Sequence, residues 1–472
     1  MAYKDQDIVQ KLREIAGKEH VITDEEKLLR YGRDNSFVKP LNPFCAVRPF
    51  LKEEVQKIVL MANDTGVPVF PYSSGSTMQG AHIPSKKGIT IDLSRMNKIH
   101  LVDPVSRNVI IEPGVTFARL QDEVKKQGMR VMTPVGVSSE ASVLGTYIEY
   151  TPLYSWPKYG PWEILTVELV LPTGESMGTG QMDVGISPYP YSWTTAYGSV
   201  NRMYFGAQGT FGIVTRAAVT VKTDYEANRV FFIGFDDLTG MAEAVRKFFL
   251  VEAAEEVFAV NAHYMSLLLE ESALKRSCTP WILVMVVRGF EEEVEYKSLD
   301  LEDTASSLGL KLENGLPGIA DAGDRILDEI AYPQGVLSHN RYKGAWNPIF
   351  CYAAKAQLSR FHGIVFSLSG THSYPVEDIG CFILPLNRGG TFYFEPSFYR
   401  NPDDPEESRK VEKLFLELSN ELISQGGFFD RPYPLWAEKV YAKASTYHKK
   451  MRDMKQMIDP KNIMNPGKLA ME

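Results

Sequence analysis

A short run rich in serine and glycine, residues 72–80, constrains this chain more than any other segment. It reads Tyr-Ser-Ser-Gly-Ser-Thr-Met-Gln-Gly and follows the apolar run at 67–70. Glycine adopts backbone conformations that other residues avoid, so successive N–H groups in such a loop can converge on a bound anion. The serine and threonine hydroxyls add donors for phosphate oxygens. Because Ser/Gly clusters are also common surface turns, the loop alone indicates either an ordinary turn or a phosphate site.

The segments around this loop predict an α+β arrangement. Residues 45–72 read as strand, helix and strand, since apolar residues recur at helical spacing in the middle piece. A helix is expected from Thr116, which would cap its N-terminus, to Gly128. The G-x-G-x-x-G opening of a Rossmann fold is absent. Further strands are expected at 89–93, 99–102, 109–114, 165–171 and 211–221.

From about residue 223, strands alternate with long helices. This alternation predicts an antiparallel sheet backed by helices. The expected strands are 229–235, 257–261, 281–287, 310–313 and 390–395, and the expected helices are 239–250, 293–308 and 406–425.

Composition excludes several classes of function. The chain has 472 residues, 44% hydrophobic and 23% charged, which is typical of a soluble globular protein with two or three domains. A net charge of −8 without a basic block argues against nucleic acid or an anionic membrane as partner. No signal peptide and no apolar run of roughly 18 residues is seen. Four scattered cysteines predict reduced thiols in a cytoplasmic protein and no metal site.

Six segments together resemble the vanillyl-alcohol oxidase and 4-cresol dehydrogenase family of flavoenzymes, over about residues 45–468. They are 73–80, 111–115, 142–145, 168–175, 209–215 and 465–468. The resemblance implies an FAD-binding domain in two parts, residues 1–222 and 426–472. It also implies a cap domain for the substrate at 223–425, built from an antiparallel sheet and helices.

In that family the Ser/Gly loop holds the FAD pyrophosphate, and the chemistry of the loop in this chain agrees. Pro113 and Gly114 could equally be turn formers, whereas small residues at 142–145 let the backbone approach a flat ring. The cofactor contacts implied by the resemblance are Ser73, Ser74, Gly75, Ser76, Thr77, Met78, Pro113, Gly114, Ser138, Ser139, Ser142, Gly145, Ile213, Asn465 and Lys468.

Many relatives bond the flavin covalently, and three routes can be checked in this chain. Ser76 stands where sugar-oxidase relatives carry a histidine, and no cysteine lies near Gly145. The cap stretch 391–395 lacks the histidine of vanillyl-alcohol oxidase, although Tyr393 could serve as a tyrosyl linker. Non-covalent FAD is therefore expected.

The resemblance implies oxidation of a para-substituted phenol, with a hydride passing from an alcohol or alkyl carbon to flavin N5. Such sites bind the phenolate oxygen with tyrosines and an arginine, which lower the phenol pKa. Tyr154 and Tyr159 are rival matches to one tyrosine, and Arg431 matches the arginine. Tyr393 and Glu395 of the cap would share one face of a regular strand and complete the candidate catalytic set.

Three departures weaken the phenol assignment. Asp430 precedes Arg431 where relatives carry tyrosine, and Met78 stands in place of a second phenolate tyrosine. The aspartate near flavin N5 would fall near Val137, which cannot do acid–base work. His82, just after the loop, is a further candidate for the site.

Two alternatives stay open. One is a D-2-hydroxy-acid dehydrogenase of the lactate or glycolate type, although its usual His-Gly-Asp-Gly-Asn run is absent. The other is a flavin-bearing electron-transfer subunit that docks a redox partner. The expected partners are a small aromatic substrate, an electron-accepting protein and further copies of the chain in a homodimer or larger homo-oligomer.

Overall fold

The computed structural model describes residues 5–76, 79–154, 164–184 and 200–471. In the N-terminal part the helices are Asp5–Ala16 (α1), Glu25–Gly32 (α2), Lys52–Thr65 (α3), Phe117–Lys125 (α4), Val143–Ile148 (α5) and Gln181–Val184 (α6). The strands of that part are Val21–Ile22 (β1), Cys45–Val47 (β2), Val69–Tyr72 (β3), Ile89–Asp92 (β4), Ile99–Asp103 (β5), Asn108–Ile111 (β6), Met129–Arg130 (β7), Ile164–Val170 (β8), Ser176–Gly178 (β9), Ile213–Thr220 (β10) and Lys222–Thr223 (β11).

These strands form two main sheets. The first has the order β1-β2-β4-β3, and β4 is parallel to both β2 and β3. Helix α3 connects β2 to β3 and buries Val55, Ile58 and Val59, the helical repeat seen in the sequence. The second sheet is antiparallel, in the order β5-β6-β10-β8-β9, and β7 pairs with β11 beside it.

The cap contains a seven-stranded antiparallel sheet in the order β12-β14-β13-β17-β18-β15, with β16 also paired to β18. Its strands are Ala227–Phe235 (β12), Glu256–Asn261 (β13), Trp281–Gly289 (β14), Ala345–Pro348 (β15), Cys351–Ala354 (β16), Gly380–Leu386 (β17) and Thr391–Arg400 (β18). Its helices are Leu238–Val251 (α7), Ala262–Leu268 (α8), Leu274–Ser277 (α9), Glu291–Ser307 (α10), Ala322–Ala331 (α11), Gly335–Lys343 (α12), Lys355–Thr371 (α13) and Pro405–Ser424 (α14). The predicted α+β class with an antiparallel sheet backed by helices is confirmed.

The C-terminal segment packs against the two N-terminal sheets. Helices Ala437–Lys443 (α15) and Ser445–Ile458 (α16) precede the last turn of the chain. Ile463 and Met464 join the core that contains α1, α3 and the first sheet, and Met464 pairs with Val69 of β3. Tyr441 and Leu469 join the core of the second sheet. The domain boundaries at 222/223 and 425/426 stay predictions.

One predicted strand is wrong. Residues 310–313 alternate apolar and charged side chains, but they form no strand, and only Glu313 makes a single bridge, to Phe232. β12 is the edge strand of the sheet, and among the described residues 310–313 only Glu313 pairs with its open edge. Within the described ranges, none of the helices combines the length and apolar character that a bilayer span requires.

Candidate active site

A cavity of about 850 Å³, open solvent at its mouth included, lies where β3 enters the Ser/Gly loop. Segments from both N-terminal sheets and from the C-terminal segment line it. Eight residues predicted to bind the cofactor are among the lining residues: Ser73, Ser74, Gly75, Ser76, Pro113, Gly145, Ile213 and Asn465. We refer to this space as the first cavity.

Hydrogen bonds fix the loop in position. The Ser74 hydroxyl accepts a bond from the Ser142 backbone N–H (3.0 Å) and lies 3.0 Å from the Ser76 hydroxyl. Ser142 also caps helix α5, because its hydroxyl accepts from the Gly145 N–H (2.9 Å) while donating to the Pro113 carbonyl (2.6 Å). Ser142 therefore joins three segments of the cavity wall without lining the cavity.

Two glycines are required where the walls come closest. Gly75 has a φ of 67°, a conformation that favours glycine, and a side chain there would clash with the Tyr72 ring. A Cβ atom at Gly145 would lie 2.7 Å from the Ser73 hydroxyl. The backbone at both positions is thus open to a ligand.

The remaining predicted cofactor residues lie behind the wall. Gly114 packs against the Ser94 carbonyl, and the Ser138 hydroxyl accepts from the Glu140 N–H (3.2 Å). Ser139 contacts the cap, since its N–H donates to the Pro333 carbonyl (2.7 Å). The Lys468 ammonium is buried and donates to the carbonyls of Gly80 (2.8 Å) and Ile83 (2.7 Å), which anchors the end of the loop. Thr77, Met78 and Tyr159 lie outside the described residues.

Several lining residues were missed by the sequence reasoning. Glu149 follows the segment 142–145 and Gln208 directly precedes the segment 209–215, so both adjoin predicted cofactor segments without being part of them. His82, which was weighed as a candidate, lies in the wall, where burial lowers its pKa. The other missed lining residues are Pro71, Tyr72, Ala81, Leu93, Ile148, Tyr204, Gly209, Gly212 and Val214.

The residues present fit an FAD molecule in the first cavity. Hydroxyls and backbone N–H groups at 73–76 suit a pyrophosphate, and the glycines at 145 and 212 leave room for a flat ring. Among the described residues, Oε1 of Gln208 and Oδ1 of Asn465 are buried without a hydrogen-bond partner. Buried polar atoms are almost always paired, so this cavity is built for a polar ligand.

A second cavity of about 560 Å³ adjoins the first, and Ser76 lines both. Aromatic side chains from the cap and the C-terminal segment form much of its wall: Trp346, Phe350, Tyr393 and Tyr433. Its polar lining consists of Ser76, Gln79, Thr146, Thr151, Glu395 and Arg431, and Val137 also contacts it. The structure therefore brings the predicted Arg431, Tyr393 and Glu395 together beside the first cavity.

A chain of hydrogen bonds joins these three side chains, all of which are buried. Arg431 Nη2 donates to the Tyr393 hydroxyl (3.3 Å), and that hydroxyl donates to Glu395 Oε2 (2.5 Å). The Arg431 guanidinium also lies 3.9 Å from the centre of the Phe350 ring. Burial raises the pKa of Glu395 to about 7, although Tyr393 and Arg431 oppose this rise. The site thus pairs a buried cation with a carboxyl that can exchange a proton near neutral pH.

Tyr154 is not part of either cavity wall. Its ring packs in the cap core, 5.0 Å from the Phe258 ring and 5.9 Å from the Phe382 ring, counted between centres. Across the ranges described, no group of histidine, cysteine, aspartate and glutamate side chains could hold a metal ion.

Comparison with known proteins agrees with this geometry. Residues 43–180 match the family model of an FAD binding domain, and residues 434–469 match that of the C-terminal domain of FAD linked oxidases. The chain is 23% identical to the D-lactate dehydrogenase of Archaeoglobus fulgidus, over 90% of this chain and 91% of that protein. It is 22% identical to the 4-cresol dehydrogenase [hydroxylating] flavoprotein subunit of Pseudomonas putida, over 98% and 95%.

A solved structure extends the likeness to the whole fold. The crystal structure of p-cresol methylhydroxylase with substrate bound has a TM-score of 0.86, covers 99% of this chain and 97% of that chain, and is 18% identical in sequence. At that identity the likeness concerns the fold, including the cap over the FAD-binding domain. The chain is therefore an FAD-dependent oxidoreductase with an FAD-binding domain of the PCMH type and a fold of the vanillyl-alcohol oxidase type.

Proposed function

We propose that this FAD-dependent oxidoreductase removes a hydride from an alcohol or alkyl carbon of a small para-substituted phenol. The observation that carries the proposal is the chain Arg431–Tyr393–Glu395 in the wall of the second cavity. The names of two similar proteins support the same substrate class, since one acts on 4-cresol and another, a solved structure, is a 4-ethylphenol oxidase.

The second cavity offers both parts of a phenol a suitable surface. Trp346, Phe350 and Tyr433 would contact the aromatic ring, for which apolar and aromatic walls are the usual binding surface. Arg431 would lie at the oxygen and stabilise the negative charge that develops there, an effect that is strong in a site from which water is excluded. The phenol would thus be oriented with its oxygen away from the first cavity.

Tyr393 and Glu395 would remove the phenol proton. Tyr393 donates its own proton to Glu395 and accepts a bond from Arg431, which leaves one lone pair of its oxygen to accept a bond from the phenol. When the phenol O–H bond breaks, its proton passes to the Tyr393 oxygen and the original Tyr393 proton passes to Glu395. A new O–H bond then exists on Glu395, and the phenolate oxygen faces Arg431.

The first cavity would hold the FAD, which accepts the hydride when it is bound. The serines and Gly75 at 73–76 would bind the pyrophosphate, and the backbone at Gly145 would approach the ring system. A phenolate loses a hydride from the α-carbon of its para substituent more readily than a phenol does. Deprotonation by Tyr393 and Glu395 would therefore favour the oxidation.

We further propose that the FAD is held without a covalent bond. The Tyr393 hydroxyl, the linker candidate of the cap, lies in the wall of the second cavity, where it bonds Glu395 and Arg431. Ser76, at the loop position, is no substitute for a histidine nucleophile. Continuous electron density between Tyr393 and the flavin in the holoenzyme would contradict this proposal.

Flavin reduction under anoxic conditions tests the function. We expect 4-ethylphenol to bleach the bound flavin, and 4-ethylanisole, in which a methyl group replaces the phenolic proton, to leave it oxidised. D-lactate serves as the substrate of the alternative hydroxy-acid reaction. Bleaching by D-lactate and not by the phenol would contradict the proposal in favour of that alternative. Reduction only by a redox protein would favour the electron-transfer subunit.

A further inference from the structure

Three carboxyl groups surround the Arg431 guanidinium. Asp430 Oδ1 lies 3.5 Å from Arg431 Nε, and Glu395 is linked to Arg431 through Tyr393. Glu149 is the third: it interacts electrostatically with Arg431 and accepts a hydrogen bond from the Tyr433 hydroxyl at 3.5 Å. Arg431, Glu149 and Glu395 are all buried. The carboxyl groups near this arginine therefore outnumber it before any substrate binds.

Glu149 lies at the junction of the two cavities. It directly follows helix α5 and lines the first cavity, whereas its partner Tyr433 lines the second. Gln208, which lines the first cavity, donates to the Pro432 carbonyl (3.3 Å) and so joins the same wall to the segment that carries Arg431. A charge on Glu149 thus acts on ligands in both cavities.

We propose that Glu149 is a specificity-determining residue, which makes the site reject permanently anionic substrates such as carboxylates and admit neutral phenols. The inference rests on the proposed function, because it takes the second cavity as the substrate site. Glu149 would thereby distinguish between the two classes of substrate that Arg431 could bind, phenols and hydroxy acids.

The physical argument is a balance of charge in a buried site. Bringing an unpaired ion out of water costs several kcal/mol or more, so a buried cluster tends towards neutrality. Asp430 contacts Arg431 directly and offsets its charge. A carboxylate ligand would add a further negative charge, and the site could hold it only by taking a proton from solution.

A phenol brings its own proton and needs none from solution. That proton passes to Glu395, so the total charge of the site is the same before and after binding. The cost of a carboxylate ligand rises with pH because a proton becomes harder to obtain, whereas the cost of a neutral phenol does not. This difference in pH dependence is what we expect if the site rejects anionic ligands and admits neutral phenols.

The geometry assigns the rejection of anions to Glu149 more than to Glu395. Glu395 accepts the 2.5 Å bond from Tyr393 and is the group that takes up the phenol proton. Glu149 accepts a longer bond, 3.5 Å, from Tyr433 and a bond from the Gln208 backbone, and burial raises its pKa to about 7 against the effect of Arg431. Because Glu395 serves the phenol, Glu149 is the carboxyl group that takes up a proton when an anion binds.

The titratable groups around Glu149 set the direction of its response. Arg431 favours the ionised form and Asp430 disfavours it. Tyr72, His82 and Tyr204 are further titratable groups in the described wall of the same cavity. An anion bound at Arg431 would weaken the one favourable charge interaction, so the pKa of Glu149 would rise on binding. The affinity for the anion then falls as the pH rises from the pKa of Glu149 in the free protein to its higher pKa in the anion-bound protein.

The test compares two ligands that cannot be oxidised, 4-fluorophenol and 4-fluorobenzoate, on the holoenzyme. Dissociation constants come from the change in flavin absorbance, and proton uptake comes from calorimetry in buffers of different ionisation enthalpy. For the wild-type protein we expect the benzoate to bind about tenfold more weakly per pH unit above pH 7, with uptake of up to about one proton. The phenol should bind with nearly constant affinity up to pH 8.5.

In Glu149→Gln we expect the benzoate to bind at least about tenfold more tightly at pH 8.5 than in the wild type, with little proton uptake. Glu329→Gln is the matched control, because Glu329 is also buried, burial raises its pKa to about 8, and it lines neither cavity. This control should keep the wild-type pH dependence.

Benzoate affinity that does not depend on pH in the wild type would overturn the inference, even if Glu149→Gln proves unstable. So would an unchanged benzoate affinity in a folded Glu149→Gln protein. In both cases tight phenol binding would leave the proposed function standing. Failure of both ligands to bind would overturn the proposed function and the inference together.

Discussion

Replacing Arg431 with alanine should slow the reduction of the bound flavin by 4-ethylphenol by about 10²–10³-fold in kcat/KM. Truncating one partner of a buried, hydrogen-bonded charge pair costs about 2–5 kcal/mol, and each 1.4 kcal/mol is about a factor of ten in rate. In this protein the change removes the charge that faces the phenol oxygen and leaves Asp430 without its neighbouring cation. Anoxic stopped-flow absorbance of the flavin measures the effect.

Two further variants test whether the slower reduction is due to the loss of the Arg431 guanidinium. Arg431→Lys keeps the charge but loses the planar group that contacts the Phe350 ring, so it should recover only part of the rate. Arg388→Ala removes an exposed arginine of the cap, paired with Glu252, and should react like the wild type. A folded Arg431→Ala protein with a rate within about twofold of the wild type would remove Arg431 from the substrate site.

Replacing Glu256 with glutamine should lower the free energy of unfolding by about 3–5 kcal/mol, the cost of breaking a buried ion pair by removing one partner. Glu256 is fully buried in β13 and lies 2.8 Å from Arg130 Nη2 of β7 and 2.9 Å from Arg288 Nε of β14. The change would leave two buried arginines short of a carboxylate. Urea denaturation of the holoenzyme measures the loss.

The same group predicts a pH dependence of stability. Burial alone would raise the pKa of Glu256, but Arg130 and Arg288 lower it to about 2. A lowered pKa contributes stability that is present above the unfolded value of about 4.3 and is lost as pH falls towards 2. The difference in free energy of unfolding between the wild type and Glu256→Gln should therefore shrink as the pH falls through that range.

An exposed ion pair gives the control for this prediction. Glu406→Gln removes a carboxylate that pairs with Lys410 at the solvent-exposed start of α14. Exposed pairs contribute about 0–1 kcal/mol, so its stability should stay close to that of the wild type. Equal losses of stability in the two variants would show that the buried ion pairs between β7 and the cap sheet contribute no more to stability than an exposed ion pair.

The sequence predicted the secondary structure well where a single local pattern decides it. Helical spacing located α3, and short apolar runs located the cap strands, including β18 with Tyr393 and Glu395. The segment 310–313 was predicted wrongly, because alternation over four residues does not decide whether a segment pairs along the open edge of a sheet. Only Glu313 pairs with β12.

The candidate site was predictable in part. The Ser/Gly loop indicated the cofactor, and Arg431 followed from its match to a family motif. Glu149 and Gln208 were not found, since they lie about 70 and 130 residues beyond the loop and only the packed sheets bring them to it. Tyr154 was named by its position in a family motif, and such a match does not reveal that the ring packs against Phe258 in the cap core.

A crystal structure of the reduced holoenzyme with 4-ethylphenol bound tests the central claim most directly, since the reduced flavin cannot oxidise the ligand. We expect the phenol oxygen within hydrogen-bonding distance, about 2.6–3.2 Å, of both Tyr393 and Arg431. The flavin should fill the first cavity, with its pyrophosphate on residues 73–76 and no bond to Tyr393. A phenol bound with its oxygen away from Arg431, or outside the second cavity, would contradict the account.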